Sequence, residues 1–276
     1  MRNLTRMELK DRVAIVTGGG SGIGEALARR FVQEGARFVV IADRDTANAE
    51  RVAADIGARA TAATLDVADE AATRALVEQV EVERGPIDLF VANAGYGNAG
   101  GIEFSNDDFQ RMWEVHVMAR ICRPGGVAIH DLPWRGLLLT TASAAGLLTQ
   151  MDSVIYALTK HAAVALAEWL AINHYHQGIR VSTICPQAVR TNIMGNRPSN
   201  SSRQASSDGV LEPAQLADTV IEALRAERLW VLPHPEVATY AQRRAEDVDR
   251  WLGGMRRFQD RIFGDLPRPG DWLVQN

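Results

Sequence analysis

Short apolar runs alternate with longer amphipathic stretches along most of the chain. The first apolar run, residues 13–17, ends in a cluster of glycines, and residues 25–34 then carry Leu27, Ala28 and Phe31 at helical spacing. A short apolar run is typical of a strand buried on both faces, and helical spacing of apolar residues is typical of an amphipathic helix. The beginning of the chain therefore predicts a strand, a glycine-rich turn and a helix.

The same pattern recurs and predicts the fold. Further strands are expected at 37–42, 60–65, 87–92, 137–142, 179–184 and 229–232. Further helices are expected at 46–57, 69–84, 151–177 and 213–227. This alternation implies parallel strands joined by right-handed crossovers, with ligands at the carboxyl ends of the strands. We therefore expect one α/β domain over residues 1–276, a Rossmann-like doubly wound parallel β-sheet of about seven strands with helices on both faces.

Two segments depart from the alternation. Residues 194–211 are polar, rich in turn-forming residues and without periodicity, which predicts a mobile loop near the substrate. This loop is either a lid over a substrate or plain surface disorder. Residues 235–276 predict a C-terminal helical extension, with one amphipathic helix over 236–260. Its apolar stripe could pack on the core, cap the active site or bind a second subunit.

Composition and charge exclude several classes of protein. The chain is 46% hydrophobic and 23% charged, as in ordinary globular domains, and its net charge of -4 argues against nucleic-acid binding. The cysteines, Cys122 and Cys185, lie far apart, so we expect a reducing compartment, no disulfide framework and no metal site. No apolar run reaches the ~18 residues of a membrane span, and residues 1–10 lack the apolar core of a signal peptide. A cytoplasmic protein without membrane contact is expected.

The turn after the first strand has the composition of a phosphate-binding turn. Five of its residues are candidate pyrophosphate contacts: Gly18, Ser21, Gly22, Ile23 and Gly24. Glycines let backbone amides approach a phosphate without interference from side chains, and the dipole of the following helix favours its negative charge. A strand, a glycine turn and a helix in this order predict a dinucleotide site.

The ends of the next strands carry candidate contacts to the adenosine half. Asp43 lies 19 residues after Gly24, where a carboxylate can accept hydrogen bonds from ribose hydroxyls and repel a 2′-phosphate. This favours NAD over NADP, although the neighbouring Arg44 could accommodate a phosphate. Asp66, followed by Val67, could bind the adenine amino group, cap the next helix, or do both. Small residues after the fourth strand leave room for adenine or ribose: Asn93, Ala94 and Gly95.

The second half of the chain carries candidate catalytic residues. Tyr156 and Lys160 are four positions apart and share one face of a helix. A phenol with a pKa near ~10 is a poor acid or base at neutral pH, and a neighbouring ammonium lowers that pKa. Ser143, which ends the fifth strand 13 residues before Tyr156, can reach the same carbonyl oxygen as the phenol.

Taken together, these motifs resemble those of the short-chain dehydrogenase/reductase family. The resemblance covers residues 9 to about 232 and rests on the turn of residues 17–24, the Asn-Ala-Gly of residues 93–95, Ser143, the Tyr-x-x-x-Lys of residues 156–160, and Thr191. It implies that Tyr156 transfers a proton, that Lys160 lowers the pKa of Tyr156 and holds the nicotinamide ribose, and that Ser143 bonds the substrate oxygen. It also implies that Pro186 and Thr191 lie at the nicotinamide end, and that the protein is a homotetramer or homodimer.

Three positions depart from the family pattern. His116 stands where an Asn is usual, and its imidazole could either complete a proton relay to Lys160 or make a structural bond. Gln187 replaces the glycine that usually follows Pro186. Pro124 and the two glycines after it should end a helix at about Arg123, in a region that often contributes to subunit contacts.

These residues predict an NAD(P)-dependent oxidoreductase that interconverts a secondary alcohol and a ketone. The alternative is a dinucleotide-binding sensor or scaffold with little or no catalysis, and a dehydratase or epimerase is a weaker third reading. The pocket is expected to be lined by residues 144–148, Met151 and residues 187–194, and to extend into the loop to residue 209. Because those residues are mostly apolar, we expect a hydrophobic, uncharged small molecule as substrate.

Overall fold

A parallel seven-stranded sheet forms the centre of the molecule, in the strand order β3-β2-β1-β4-β5-β6-β7. The computed structural model describes residues 8–121, 136–194, 200–264 and 268. The strands are β1 (Val13–Thr17), β2 (Phe38–Asp43), β3 (Ala60–Thr64), β4 (Leu89–Ala92), β5 (Leu137–Thr141), β6 (Arg180–Ile184) and β7 (Trp230–Val231). The predicted fold class, including the parallel sheet of seven strands, is confirmed.

Helices connect the strands and cover the sheet. They are α1 (Gly22–Gln33), α2 (Thr46–Ile56), α3 (Glu70–Arg84), α4 (Asn106–Trp113), α5 (Ala119–Ile121), α6 (Ala145–Leu148), α7 (Val154–Asn173), α8 (Asn200–Ala205), α9 (Pro213–Arg225), α10 (Glu236–Glu246) and α11 (Val248–Phe263). A π-helical turn, Glu114–Met118, joins α4 to α5, and short 3₁₀ helices lie at Tyr175–Gln177 and Asn192–Met194.

Alternate residues of each central strand point to opposite faces of the sheet. In β1, Ala14 and Val16 belong to a cluster with α1, α2 and α9, whereas Val13 and Ile15 belong to a second cluster with α3 and α7. Strands buried on both faces lose the polar alternation of half-exposed strands, which explains the continuous apolar runs in the sequence. The helices cover both faces of the sheet, so the carboxyl ends of the strands remain accessible to a ligand.

Two predicted segments differ from the structure. Residues 200–205 of the expected irregular loop form α8, and Ala188 donates a backbone hydrogen bond to Ala205 at 3.0 Å, so the prediction of an irregular segment is wrong there. The single helix expected over 236–260 is instead two helices, because Asp247 is extended and its side chain caps α11 by accepting from the Arg250 amide. The helix break expected near Arg123 lies outside the described residues.

The C-terminal helices pack on the core rather than over the cleft. Val237 of α10 is buried in a cluster with Leu147, Leu148 and Val164. Arg244 also donates to the Leu147 carbonyl at 3.0 Å. Of the three roles that the apolar stripe suggested, the structure shows packing against α6 and α7.

Candidate active site

A cleft with a volume of about 630 Å³ opens at the carboxyl ends of the strands. Most of the predicted site residues line it: Gly18, Ser21, Gly22, Ile23, Asp43, Arg44, Asp66, Val67, Asn93, Ala94, Gly95, Ser143, Tyr156, Lys160, Pro186 and Thr191. Gly24 and His116 lie behind this wall. The parallel strands thus bring residues far apart in sequence to one edge of the sheet, as expected for doubly wound folds.

The glycine turn is shaped so that side chains are excluded from it. Gly22 has a φ of +55°, and a Cβ atom there would lie 2.9 Å from the methyl group of Thr191. A Cβ atom at Gly24 would collide with the Gly18 carbonyl oxygen, which explains why this glycine is needed although it does not line the cleft. Both features bring backbone amides to the surface at the N-terminus of α1, where an anion is favoured.

The Asn93 side chain links the ends of β1, β4 and β5 through hydrogen bonds. Its Nδ2 donates to the carbonyl oxygens of Thr17 at 3.0 Å and Gly18 at 3.2 Å, and its Oδ1 accepts from the Thr141 hydroxyl at 3.0 Å. Thr17 in turn accepts from the backbone amides of Asn93 and Ala94. The Asn93 side chain therefore has a structural role, and Asn93 also forms part of the wall of the cleft.

Acidic residues mark the end of the cleft beside β2 and β3. Asp43 accepts from the Gly20 amide at 2.9 Å and the Asp45 amide at 3.0 Å, so its carboxylate is held against the glycine turn. Arg44 is exposed and makes no hydrogen bond to the described part of the chain. Asp66 accepts from the Ala68 amide at 3.0 Å and does not cap the next helix, since Asp69 is the N-cap of α3.

Tyr156, Lys160 and Ser143 meet at the opposite end. The Lys160 amine lies 5.2 Å from the centre of the Tyr156 ring and donates to the Thr141 carbonyl at 3.0 Å. Ser143 accepts from the Ala145 amide at 3.1 Å and donates to the Pro186 carbonyl at 3.3 Å. Because Ser153 caps α7 by accepting from the Tyr156 amide, the first turn of this helix, which carries the phenol, is fixed.

The protonation of this pair differs from the sequence expectation. Burial raises the pKa of Tyr156 above its ordinary value, while the Ser143 hydroxyl and the Arg120 charge act in the opposite direction. Burial and the neighbouring Arg120 hold the pKa of Lys160 well below its ordinary value. The sequence predicted that Lys160 lowers the pKa of Tyr156, but burial is the largest influence on both groups and disfavours the charged form of each.

His116 is completely buried behind the cleft, with 0% of its surface exposed. Its Nε2 accepts from the Tyr96 amide at 3.1 Å, and its Nδ1 faces the Thr159 hydroxyl at 3.0 Å. Thr159 donates to the Tyr156 carbonyl, so Nδ1 carries the proton and donates to Thr159. Burial, followed by the charges of Lys160 and Arg120, holds the pKa of His116 well below its ordinary value. Both ring nitrogens are thus engaged in structural bonds.

Other lining residues were not among the sequence candidates. They include Asp45, Asn48, Tyr96, Gly97, Val115, Thr141 and Ala142. Gln187, Val189 and Ile193 line the cleft as predicted, but residues 144–148 do not and are buried instead against α7 and α10. Tyr96 could have been predicted as a lining residue from the sequence, because it directly follows the Asn-Ala-Gly motif. The buried Arg120 had no sequence signal, because an arginine in a helix is usually exposed.

One described helix, α7, has the length and hydropathy of a membrane span, and 44% of its apolar window is buried inside the protein. It carries Tyr156 and Lys160 and packs on the sheet through Ala167 and Leu170. The core helix of a soluble protein can have the same length and hydropathy. Among the described residues, no group of three or more His, Cys, Asp or Glu side chains is arranged for a metal ion.

The cleft fits a dinucleotide. The glycine turn has no room for a side chain, and the Thr191 hydroxyl is buried without a partner among the described residues. A buried hydroxyl without a partner costs free energy, so it marks a position where a polar group of a ligand can bind.

The match to known proteins identifies the family. Residues 12–202 match the family model for short chain dehydrogenase, and the chain belongs to this family, as its motifs predicted. It is therefore an oxidoreductase that acts on a small molecule with a nicotinamide dinucleotide.

Three relatives show how far the likeness extends. The chain is 35% identical over 194 residues to meso-2,3-butanediol dehydrogenase of Serratia marcescens, covering 70% of this chain and 77% of that protein. It is 32% identical over 253 residues to 1-deoxy-11-beta-hydroxypentalenate dehydrogenase of Streptomyces exfoliatus, covering 88% and 90%. A crystal structure of a short chain dehydrogenase/reductase from Burkholderia phymatum in complex with NAD superposes with a TM-score of 0.78 at 28% identity, covering 88% and 96%.

Proposed function

We propose that this protein is an NAD-dependent dehydrogenase or reductase that interconverts a secondary alcohol and a ketone. The observation that supports this most is the convergence of Ser143, Tyr156 and Lys160 at one end of a cleft whose other end is built for a dinucleotide. Two similar proteins are named for alcohol oxidation, on a butanediol and on a hydroxypentalenate. A scaffold protein would have no chemical need for these three side chains together.

Each of the three side chains has a distinct role in the proposed reaction. Tyr156 donates its proton to the carbonyl oxygen during reduction and takes the alcohol proton during oxidation. Ser143 hydrogen-bonds the same oxygen while negative charge develops on it. Lys160 would hold the hydroxyls of the nicotinamide ribose, and Thr191 the carboxamide. The bound nicotinamide supplies the acceptor or donor of the hydride.

The raised pKa of Tyr156 has a consequence for the direction of proton transfer. A phenol that is protonated at neutral pH is ready to donate, which suits reduction of a ketone. Oxidation requires the phenolate, so the rate of alcohol oxidation should rise with pH through the pKa of Tyr156.

The distribution of charge in the cleft supports an uncharged substrate. Asp43, Arg44, Asp45 and Asp66 all lie at the adenosine end. Around Tyr156 the described lining is Tyr96, Ala142, Gln187, Val189 and Ile193, with Lys160 as the one charged side chain there. We propose a hydrophobic ketone or secondary alcohol without a phosphate or carboxylate, because the Lys160 amine is already bound to the Thr141 carbonyl and the described lining around Tyr156 offers no second cation to an anionic substrate.

The decisive experiment follows NADH absorbance with a panel of ketones and secondary alcohols, for the wild type and Tyr156→Phe. Loss of at least about a hundredfold in kcat is expected, the usual contribution of a general acid. Tyr175→Phe is the matched control, because this tyrosine is exposed in the 3₁₀ helix that follows α7 and does not line the cleft. Equal turnover by wild type and Tyr156→Phe would refute the assignment, and tight NADH binding without turnover on any substrate would favour the sensor or scaffold.

A further inference from the structure

Arg120 is buried directly beneath the active site. Only 4% of its surface is exposed, although arginine is rarely buried without a charged partner. Its guanidinium donates to the His116 carbonyl through Nη1 and to the Thr141 carbonyl at 2.8 Å through Nη2. Arg120 thereby ties the π-helical turn to the end of β5.

Arg120 and Lys160 share one acceptor. The Thr141 carbonyl oxygen receives Nη2 of Arg120 at 2.8 Å and Nζ of Lys160 at 3.0 Å. Among the described residues, Arg120 has no carboxylate partner, and its Nε has no hydrogen-bond partner. Within the described part of the chain, two basic side chains therefore share one small buried volume, and both donate to carbonyl oxygens.

Two such cations do not hold their protons equally. Burial lowers the pKa of Arg120 to about 10, so the guanidinium remains protonated at neutral pH. The amine of Lys160 shifts its pKa far more readily than a guanidinium does. Of the two groups that share the Thr141 carbonyl, Arg120 therefore keeps its positive charge, and Lys160 is the one that loses its proton more readily.

We propose that Arg120 is a positioning residue that supplies the fixed positive charge beneath the Tyr156 phenol, a role the family pattern gives to Lys160 alone. This inference rests on the proposed function, since the phenol matters only if Tyr156 transfers a proton. Arg120 acts through Tyr156 and Lys160 and is not itself placed against the substrate.

The other groups around the phenol are neutral. Tyr156 faces groups from five elements: Lys160 on its own helix, Arg120 on α5, His116 on the π-helical turn, Ser143 after β5 and Cys185 after β6. Burial raises the pKa of the Cys185 thiol to about 12, and the pKa of His116 is held low, so neither carries charge at neutral pH. The positive charge that acts on the phenol is therefore that of Arg120.

The test compares Arg120→Met with Arg120→Lys. Met has a similar length without charge, and replacement of a buried ion by an apolar side chain of similar volume is often tolerated. Tyr156 ionisation is followed by phenolate ultraviolet absorbance, as the difference between each variant and the same variant carrying Tyr156→Phe. We expect Arg120→Met to raise the pKa of Tyr156 by about one unit or more, and Arg120→Lys to raise it by less, because a buried amine retains its positive charge only in part.

The same shift should appear in the pH profile of alcohol oxidation. An unchanged Tyr156 titration in a folded Arg120→Met protein, or a larger shift in Arg120→Lys than in Arg120→Met, would overturn the proposal. If Arg120→Met does not fold, Arg120→Gln keeps hydrogen-bond donors without charge, and the Gln and Lys variants are compared in the same way. The absorbance titration needs no turnover, so a failure of the proposed function would be seen separately, as inactivity of the wild type.

Discussion

At the scale of single residues, two basic side chains beneath the cleft share few hydrogen-bond acceptors. Thr141 offers one carbonyl oxygen to both Lys160 and Arg120, and His116 offers its carbonyl to Arg120. Buried cations are tolerated only where hydrogen bonds replace their hydration. The side chains that perform the proposed chemistry are thus held by the backbone of β5 and of the π-helical turn.

A prediction for His116 follows from its lowered pKa. The unfolded chain takes up a proton on this residue below about pH 6.5, whereas the folded protein does not, so the free energy of unfolding should fall as pH is lowered. The slope from this residue approaches about 1.4 kcal/mol per pH unit at most. Chemical denaturation of wild type and His116→Asn at several pH values between about 5 and 7 measures it.

Asn is the matched replacement, because it can accept from the Tyr96 amide and does not titrate. His234 is present in both proteins, so its own lowered pKa cancels in the comparison. Parallel dependence of the two proteins on pH would contradict the buried, neutral state of His116.

A prediction for Asp43 concerns the choice of cofactor. Its carboxylate lies at the end of β2, held by the Gly20 and Asp45 amides, and would repel the 2′-phosphate of NADP. Asp43→Asn should improve kcat/KM with NADP relative to NAD by at least about tenfold, since contact between like charges costs more than ~1.4 kcal/mol. The measurement is steady-state kinetics with both cofactors, with Asp107→Asn as control, since Asp107 is exposed on α4 and does not line the cleft. An unchanged ratio would mean that Asp43 does not face the ribose.

At the scale of elements, the segments around the cleft are joined by side-chain hydrogen bonds in addition to a backbone bridge between Val189 and Leu211. Asp208 accepts from Gln187 at 2.9 Å and from Tyr240 at 3.0 Å, which joins the loop after β6 to α10. Gln204 of α8 accepts from the Met151 amide at 2.9 Å. A polar, aperiodic segment can therefore be ordered by contacts that no periodicity in its own sequence announces.

A prediction for the glycines contrasts α1 with α11. Gly24→Ala should lower the free energy of unfolding by about 1–3 kcal/mol, because the added methyl group would collide with the Gly18 carbonyl oxygen. Gly254→Ala should raise it by about 0.5–1 kcal/mol, because Gly254 lies within α11, where the Cβ has room 3.9 Å from the end of the Arg257 side chain. Urea denaturation of both variants measures the difference. Equal effects would show that the glycine turn is less tightly packed than described.

At the scale of the whole molecule, one side of α7 is in the core and the other is exposed. Leu158, Trp169 and Ile172 lie on the exposed side, since separations of 11 and 14 residues are close to whole numbers of helical turns. Exposed apolar stripes on a folded domain are typical of surfaces that contact another subunit. We propose that a second copy of this chain covers this stripe.

A prediction for this stripe uses Ile172→Glu, which places a charge at its C-terminal end, on the most exposed of the three side chains. Light scattering should show a dimer or tetramer for the wild type and a smaller assembly for the variant, because burying an unpaired carboxylate is costly. Val82→Glu is the control, since Val82 is 87% exposed on a different helix. A monomeric wild type, or an equal mass for the Ile172 variant, would contradict the proposal.

The sequence alone determined the order of the elements and the location of the cleft. Apolar runs bounded by glycine and polar residues define buried strands locally, and parallel strands necessarily bring Gly18, Asn93 and Ser143 to one edge. The spacing of Tyr156 and Lys160 likewise fixes their shared helix face, because helix geometry is a property of the local chain. These features depend on neighbours in sequence, so they could be predicted.

The protonation and the partners of the buried groups were decided only by the tertiary structure. Burial raises the pKa of Tyr156 and lowers that of Lys160, and Arg120 comes from another helix to the carbonyl that Lys160 uses. The two ring nitrogens of His116 are bound by Tyr96 and Thr159, which lie 20 and 43 residues away. Desolvation and long-range contacts arise when distant segments pack together, so no local pattern in the sequence encodes them.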